Sequence, residues 1–359
     1  MIRSAVDHDV LIAGAGPAGL ATAIRASMRG LRPLVCEARP GLLDKACGEG
    51  IMPGGVEALR RMGVRIGSDE SRRFEGIRYI DGDLAAEGRF PVGAGLGVRR
   101  SVLAGRMLER ARDLGAEVRF GAAVEHWEED GGHVAVHLVG GDVVRARWLV
   151  GADGLHSGIR RSAGLAASTA VAAPRRFGVR RHFARAPWSD LVEVHLAGGA
   201  EVYVTPVEPG VVGVAVLFEP EVAGSGEFEA LLDGFPAVRR RLADAAALDA
   251  PRGAGPFRQS VRGRAAGRVA LVGDAAGYLD ALTGQGLELA FASAAALAEV
   301  LRADAPLERY EAAYREITRD YYRLTGLLVG VTRRRLLRRG LVRSLAVTPG
   351  LFDRVLGSY

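Results

Sequence analysis

A chain of 359 residues exceeds the usual ceiling for one hydrophobic core, so two domains are expected. Hydrophobic residues at 48% and charged residues at 25% are ordinary for a soluble globular protein. The net charge of +6 and the pI near 9.7 would suit nucleic acid, a membrane surface or acidic ligands. Yet Lys45 is the only lysine among 48 basic residues, and many of the arginines stand beside Asp or Glu. No homeodomain, zinc-finger or RNA-binding signature appears, so nucleic acid is not an expected partner.

Cys36 and Cys47 are the only cysteines, which leaves no disulfide framework and no thiolate metal cluster, and no metal site is expected. No apolar stretch reaches transmembrane length. The first strand is expected to begin by residue 9, with no room ahead of it for a signal peptide, so the cytoplasm is the expected compartment.

In chain order, the apolar run Asp9–Ala13 leads into Gly14-Ala15-Gly16-Pro17-Ala18-Gly19, a helix up to Arg29, a second strand Pro33–Cys36 and the acid Glu37. This is the spacing of a dinucleotide-binding βαβ unit. Gly14 permits the tight turn, Gly16 lets the backbone approach a pyrophosphate, and Gly19 lets helix and strand pack closely. The phosphates would sit over unpaired N–H groups at the positive helix end. Glu37 would accept hydrogen bonds from ribose hydroxyls and repel a 2′-phosphate, which favours FAD or NAD over NADP.

A loop over Ala38–Gly50 and a short helix over Gly54–Met62 follow, then a strand at 74–80 and a helix at Ser101–Leu114 opened by Arg100. Gly93–Gly97 reads as a turn. Strands are expected near 117–120, 132–138 and 142–151, and then at 177–183, 191–196, 201–205 and 211–218. Helix-like segments over 226–247 return to a strand at Arg268–Val272, and the remainder from Gly284 reads as helices.

Two further motifs carry chemistry. Asp153-Gly154 stands at the end of an apolar strand, with Ser157 and Arg160 after it at a helix start; a capped turn is the alternative reading. His156 is expected to cap that helix. Gly273-Asp274 ends another strand, and Gly284-Gln285-Gly286 begins a long helix whose N–H groups suit an anion.

Taken together, G-A-G-P-A-G with Glu37, A-D-G-x-x-S-x-x-R at 152–160, and G-D-A-A-G with T-G-Q-G resemble the para-hydroxybenzoate hydroxylase-like flavoproteins. Single-component aromatic monooxygenases, flavin-dependent halogenases and geranylgeranyl reductases belong to that group. The resemblance covers roughly 9–300 and implies an α/β fold: a Rossmann-like FAD-binding domain, an inserted β-sheet substrate domain and C-terminal helices. The division it implies is 1–75, 98–175 and 263–305 for FAD, 76–97 and 176–262 for substrate, and 306–359 as the helical segment.

The resemblance also implies site residues. Gly14, Gly16 and Gly19 would hold the pyrophosphate, with Ala15, Pro17 and Ala18 between them, and Glu37 with Ala38 would face the adenosine ribose. Arg100 would contact FAD, Asp153 and Gly154 both FAD and a transient pyridine nucleotide, and Gly273 with Asp274 the ribityl side. Gly284, Gln285, Gly286 and Leu287 would face the pyrimidine edge of the isoalloxazine, where a positive helix end stabilises the charge of reduced flavin. Lys45 could neutralise an anionic flavin or phosphate, or be a solvated loop lysine. Cys47 could be a thiol beside the flavin, or a small buried side chain.

No second dinucleotide fold follows, so NAD(P)H would bind transiently as reductant. The tryptophan-rich halogenase motif is missing at Tyr203–Pro206 and no lysine follows Lys45, which disfavours halogenation. The expected reaction is hydroxylation of a hydrophobic aromatic or polyketide-type substrate with NAD(P)H and O₂, through a flavin C4a-hydroperoxide. The alternatives are geranylgeranyl reductase-like reduction of isoprenoid C=C bonds, which Lys45-Ala-Cys47-Gly resembles, and a flavin-binding protein without turnover. The stretch Tyr321–Tyr359 reads as a basic amphipathic helix touching anionic lipid, or as a helix packing on the FAD domain with a solvated arginine face.

Overall fold

The structure, a computed structural model, describes residues 6–167, 175–224, 226–348 and 350–357. The domain ranges expected above also run over 1–5, 168–174, 225, 349 and 358–359, which lie outside the described residues.

Val10, Leu11 and Ile12 expose no surface. Such an unbroken apolar run belongs to a strand covered on both faces. Strand His8–Ala13 accordingly lies inside the first sheet, parallel to Val143–Gly151 on one side and to Pro33–Glu37 on the other. Val269–Leu271 and Glu117–Phe120 continue the parallel set outward. Helix Pro17–Ser27 begins on a proline, whose fixed φ suits a first helical position, and packs on helices Arg100–Asp113 and Gly286–Arg302. Gly19 makes the close approach possible: a Cβ there would lie 1.9 Å from the Gly14 carbonyl oxygen.

The second sheet runs Arg252–Ala254, Phe177–Ala184, Val211–Phe218, Ala200–Glu208, Val192–Ala197, Gly76–Asp81, Leu84–Arg89. Its pairs are antiparallel except Val192–Ala197 with Gly76–Asp81, the join between two segments distant in sequence. Short helices Phe228–Asp233 and Pro236–Leu242 cover part of it, packing Phe228, Leu231 and Val238 on Val202, Val214 and Val216.

Several elements differ from the sequence reading, among them Leu84–Arg89 and Arg252–Ala254, strands where none was expected. Gly95–Val98 is a strand and not a turn; it pairs with Gly50–Ile51 and Ser71–Phe74 in a third, small sheet. Its glycines serve packing, since a Cβ on Gly97 would stand 1.8 Å from the Pro206 carbonyl oxygen. Val124–Asp130, a largely exposed and polar segment without an apolar pattern, forms a strand against His133–Leu138.

The C-terminal region also departs from expectation. Helix Glu308–Thr332 starts on the first sheet, where the Tyr310 hydroxyl donates to the Leu271 carbonyl at 2.6 Å. Helix Arg335–Val347 then packs on Leu84–Arg89 and Gly76–Asp81 of the second sheet, and its apolar face also reaches Met52 and Phe74, within the range expected for FAD. Arg338 is buried there and donates to Asp81 at 2.9 Å. No helix among the described residues is long and apolar enough to cross a membrane.

Candidate active site

A cavity of about 850 Å³ opens between the carboxyl ends of the first sheet's parallel strands and the face of the second sheet. Such strand ends are where open α/β sheets bind ligands.

At one end stands the glycine turn. Gly14 has φ +110°, and a Cβ would come 2.6 Å from the Ala152 carbonyl oxygen, so only glycine suits the position. Gly16 is different: nothing lies within 4 Å of where its Cβ would stand, and it lines the cavity with Ala15, Pro17 and Ala18. Glu37 is held by two backbone donors, Ala15 N–H at 2.8 Å and Arg39 N–H at 3.1 Å, and faces the cavity with Ala38. Arg100 lines the cavity, and no protein acceptor for its guanidinium is found among the described residues; its backbone N–H donates to Glu49 at 2.8 Å.

In the middle, the Asp153 carboxylate accepts from the Gly158 and Ile159 N–H groups at 2.7 and 3.1 Å. The capped-turn reading therefore holds for this side chain, which lines the cavity together with Gly154. Ser157 is the helix N-cap, accepting from Arg160 N–H, whereas the ring of His156 reaches Gly255 O, so the capping role expected of His156 belongs to its neighbour. Buried Arg160 donates to the carbonyls of Leu155, Asp274 and Ala275 and to Gln259, which clamps the second motif to the third.

At the far end, Gly273 and Asp274 line the cavity, and the Lys45 ammonium crosses to Asp274 at 3.0 Å. Lys45 is therefore paired and not solvated alone. Gly284 has φ +67° with open space at its Cβ position, and Gly284, Gly286 and Leu287 face the cavity at the start of helix Gly286–Arg302. Gly19 and Gln285 are the two expected site residues that do not line it; Gln285 is buried and its Oε1 has no partner among the described residues. Cys47 does line the cavity, and its sulfur accepts from the Glu49 N–H at 3.4 Å.

The opposite wall is apolar and aromatic: Met52, Phe74, Tyr79, Val194, Leu217 and Phe257, with Tyr203 and Tyr278. Burial raises both of these phenols well above the ordinary tyrosine value, so they stay neutral donors. The Tyr203 hydroxyl donates to Leu282 O at 3.1 Å. Beneath it, buried Arg176 bridges Glu201 at 2.8 Å and Asp280 at 2.7 Å. Desolvation pushes the Asp280 carboxyl up, against the pull of Arg176.

A second buried network holds the 44–50 loop against strand Phe177–Ala184. Arg180 pairs with Asp44 and Asp249, and His182 lies between Glu49 at 2.6 Å and Asp249 at 2.7 Å. Burial is the largest single influence and opposes the charged imidazole, but the bond and charge of Glu49 and the bond to Asp249 together outweigh it, and the pKa of His182 is raised. Glu49 adopts φ +59°, unusual outside glycine. Sequence reading missed Glu49, Arg176, Arg180, His182 and Tyr203. Their partners lie far along the chain, and the one local signal was an acid between Gly48 and Gly50.

The cradle fits an FAD-sized dinucleotide on the chain's own terms. A Cβ at Gly16 or Gly284 would project into open space, one end carries a carboxylate for ribose, and Arg100 and Lys45 supply positive charge. Comparison with known proteins agrees: residues 7–324 match the family model described as FAD binding domain. Menaquinone reductase of Mycolicibacterium smegmatis is 28% identical over 342 residues, 88% of this chain and 81% of that protein. Aklavinone 12-hydroxylase RdmE of Streptomyces purpurascens is 34% identical over 193 residues, 44% of this chain and 35% of that enzyme. The chain is thus matched to about a third of the hydroxylase's length. The crystal structure of p-nitrophenol 4-monooxygenase PnpA from Pseudomonas putida superposes with a TM-score of 0.79 at 18% identity, covering 97% of this chain and 96% of that one, which shows a shared fold. The chain belongs to the FAD binding domain family of para-hydroxybenzoate hydroxylase-like flavoproteins and is an FAD-dependent oxidoreductase.

Proposed function

We propose that the protein is a monooxygenase that hydroxylates a hydrophobic aromatic or polyketide-type substrate, consuming NAD(P)H and O₂. The observation that carries this reading is the aromatic wall facing the cofactor cradle, with neutral Tyr203 as a polar tip. FAD, when bound in the cradle, would supply the redox chemistry between NAD(P)H and O₂.

The chain's own residues have definable tasks in this reading. Glu37 accepts from the ribose hydroxyls, while the open backbone at Gly16 and the start of helix Pro17–Ser27 take the pyrophosphate. Asp274, held at 3.0 Å by Lys45, would accept from a ribityl hydroxyl. The N–H groups at Gly286 and Leu287 would place a positive helix end against developing negative charge, while the Gly284 N–H is taken by the Ala281 carbonyl at 3.0 Å. Tyr203 orients a substrate oxygen, and the side chains of Phe74, Val194 and Leu217 keep water out of the reacting region. Gln285 and Gly19 support these groups from behind.

A second reading, reduction of a C=C bond of an isoprenoid-type substrate, is favoured by one observation. The menaquinone reductase aligns over 88% of this chain, against 44% for the aklavinone hydroxylase. Oxygen separates the two. Under the first reading turnover stops without air and one atom of ¹⁸O₂ enters the product. Anaerobic saturation of a prenyl substrate, with unlabelled product in air, would establish the second.

A further inference from the structure

Helix Arg335–Val347 has two faces of unlike chemistry. Inward, Val342 and Leu345 are buried in one apolar cluster with Met52, Phe74, Tyr79, Val192 and Val194. All five of those partners also line the reaction cavity, so this helix backs the cavity's apolar wall. Outward, Leu336, Gly340, Arg343 and Val347 are exposed at spacings of four, three and four residues, a single helical stripe. Leu336 is 85% and Val347 71% exposed, unusual for large aliphatic side chains, and Leu337 beside them is 46% exposed.

Along the chain, the charge on this helix is of one sign. No Asp or Glu occurs between Asp320 and Asp353. Arg333, Arg338 and Arg339 find acids on neighbouring elements, at Glu219, Asp81 and Asp83. Arg334 and Arg335 have no acidic partner among the described residues, Arg343 forms no ion pair there but lies within the field of Asp83, and all three are exposed. An aliphatic stripe flanked by unpaired arginines is complementary to a bilayer surface that offers acyl chains beneath anionic headgroups. A protein partner of ordinary mixed charge would leave those arginines unmatched.

We propose that the outward face of helix Arg335–Val347 docks on an anionic membrane surface, placing the reaction cavity one helix away from the bilayer that stores its apolar substrate. The last clause rests on the hydrophobic-substrate reading above; the docking itself does not. Leu336, Leu337 and Val347 enter the interface between headgroups and acyl chains, and Arg334, Arg335 and Arg343 meet the phosphates.

The test is co-sedimentation of the flavin-loaded protein with phosphatidylglycerol/phosphatidylcholine vesicles and with pure phosphatidylcholine vesicles. Each arginine near an anionic surface contributes about fivefold in partitioning, so the three together favour the anionic vesicles by about a hundredfold, an advantage that fades with added salt. Leu336→Asp/Val347→Asp lowers binding by about tenfold or more while leaving flavin content intact, because both side chains already face solvent. Arg334→Ala/Arg335→Ala/Arg343→Ala removes the preference for anionic lipid. Equal binding to both vesicle types, no binding at low salt, or full binding by the aspartate variant overturns the proposal. A concentration-dependent dimer that the aspartate variant abolishes would assign the stripe to a second copy of the chain and overturn it as well. Binding is read without turnover, so a negative result leaves the oxygen experiment to decide the reaction by itself.

Discussion

Gly14 and Gly16, two residues apart, are glycines for different reasons, and substitution separates them. At Gly14 a side chain would meet the Ala152 carbonyl in a left-handed conformation, so Gly14→Ala costs about 1–3 kcal/mol of folding stability. At Gly16, φ is −71° and the Cβ position is empty, so Gly16→Ala stays within about 1 kcal/mol of the parent but weakens FAD by about tenfold or more. Thermal melts of the flavin-free proteins and flavin titrations check the two halves. Asp274→Ala removes an acceptor and also releases Lys45; a lost buried hydrogen bond is worth about 1–3 kcal/mol, or one to two decades in FAD affinity. Full flavin occupancy at unchanged affinity would take Asp274 out of the site. For His182 the sign follows from its raised pKa. Its imidazolium stabilises the fold fully below the unfolded value of about 6.5, and that contribution fades as pH climbs through the folded pKa. The stability gap between parent and His182→Asn, followed by denaturant unfolding, should therefore be widest near pH 6 and narrow towards pH 9. A constant gap would show that the ring is neutral between Glu49 and Asp249.

At the level of elements, what could be read from sequence was what is encoded locally. Val10–Ala13 and Val211–Phe218 are continuous apolar runs, and both proved to be buried strand segments. The glycine fingerprint with Glu37 fixed one end of the cradle, because each residue acts within a single βαβ unit. Strand Val124–Asp130 was illegible because its ladder partner supplies the pairing while its own side chains stay mostly exposed. Gly95–Val98 was illegible because Gly97 answers to Pro206, more than a hundred residues away, and Gly95 to the ring of Phe74. The networks around Arg176 and Arg180 were hidden for the same reason, since an ion pair between distant segments leaves no spacing to detect. The Arg338–Asp81 pair belongs to this class and fixes helix Arg335–Val347 on its sheet. Asp81→Ala strands a buried guanidinium and should cost about 3–5 kcal/mol by denaturant unfolding, whereas Asp83→Ala, whose carboxylate is 77% exposed, should change little.

Across the whole molecule, helix Glu308–Thr332 is 25 residues, about 37 Å of rigid rod. Near its start Tyr310 bonds to Leu271, and Glu311 to Arg264 beside the first sheet. Midway Tyr321 bonds to Asp280, itself tied through Arg176 to Glu201 of the second sheet. Just past its end Arg333 holds Glu219, which follows strand Val211–Phe218. A chain with two sheets and two cores would ordinarily melt in two steps. Here neither sheet can lose its packing without pulling on the same rod. Scanning calorimetry should accordingly record one endotherm, with van't Hoff and calorimetric enthalpies in agreement, and Tyr321→Phe or Arg176→Met should split it. The same ties oppose the two sheets swinging apart to admit cofactor. Flavin is then expected to enter past the loop that carries Lys45, with an exchange rate that tracks that loop's local opening and stays indifferent to the stability of the fold.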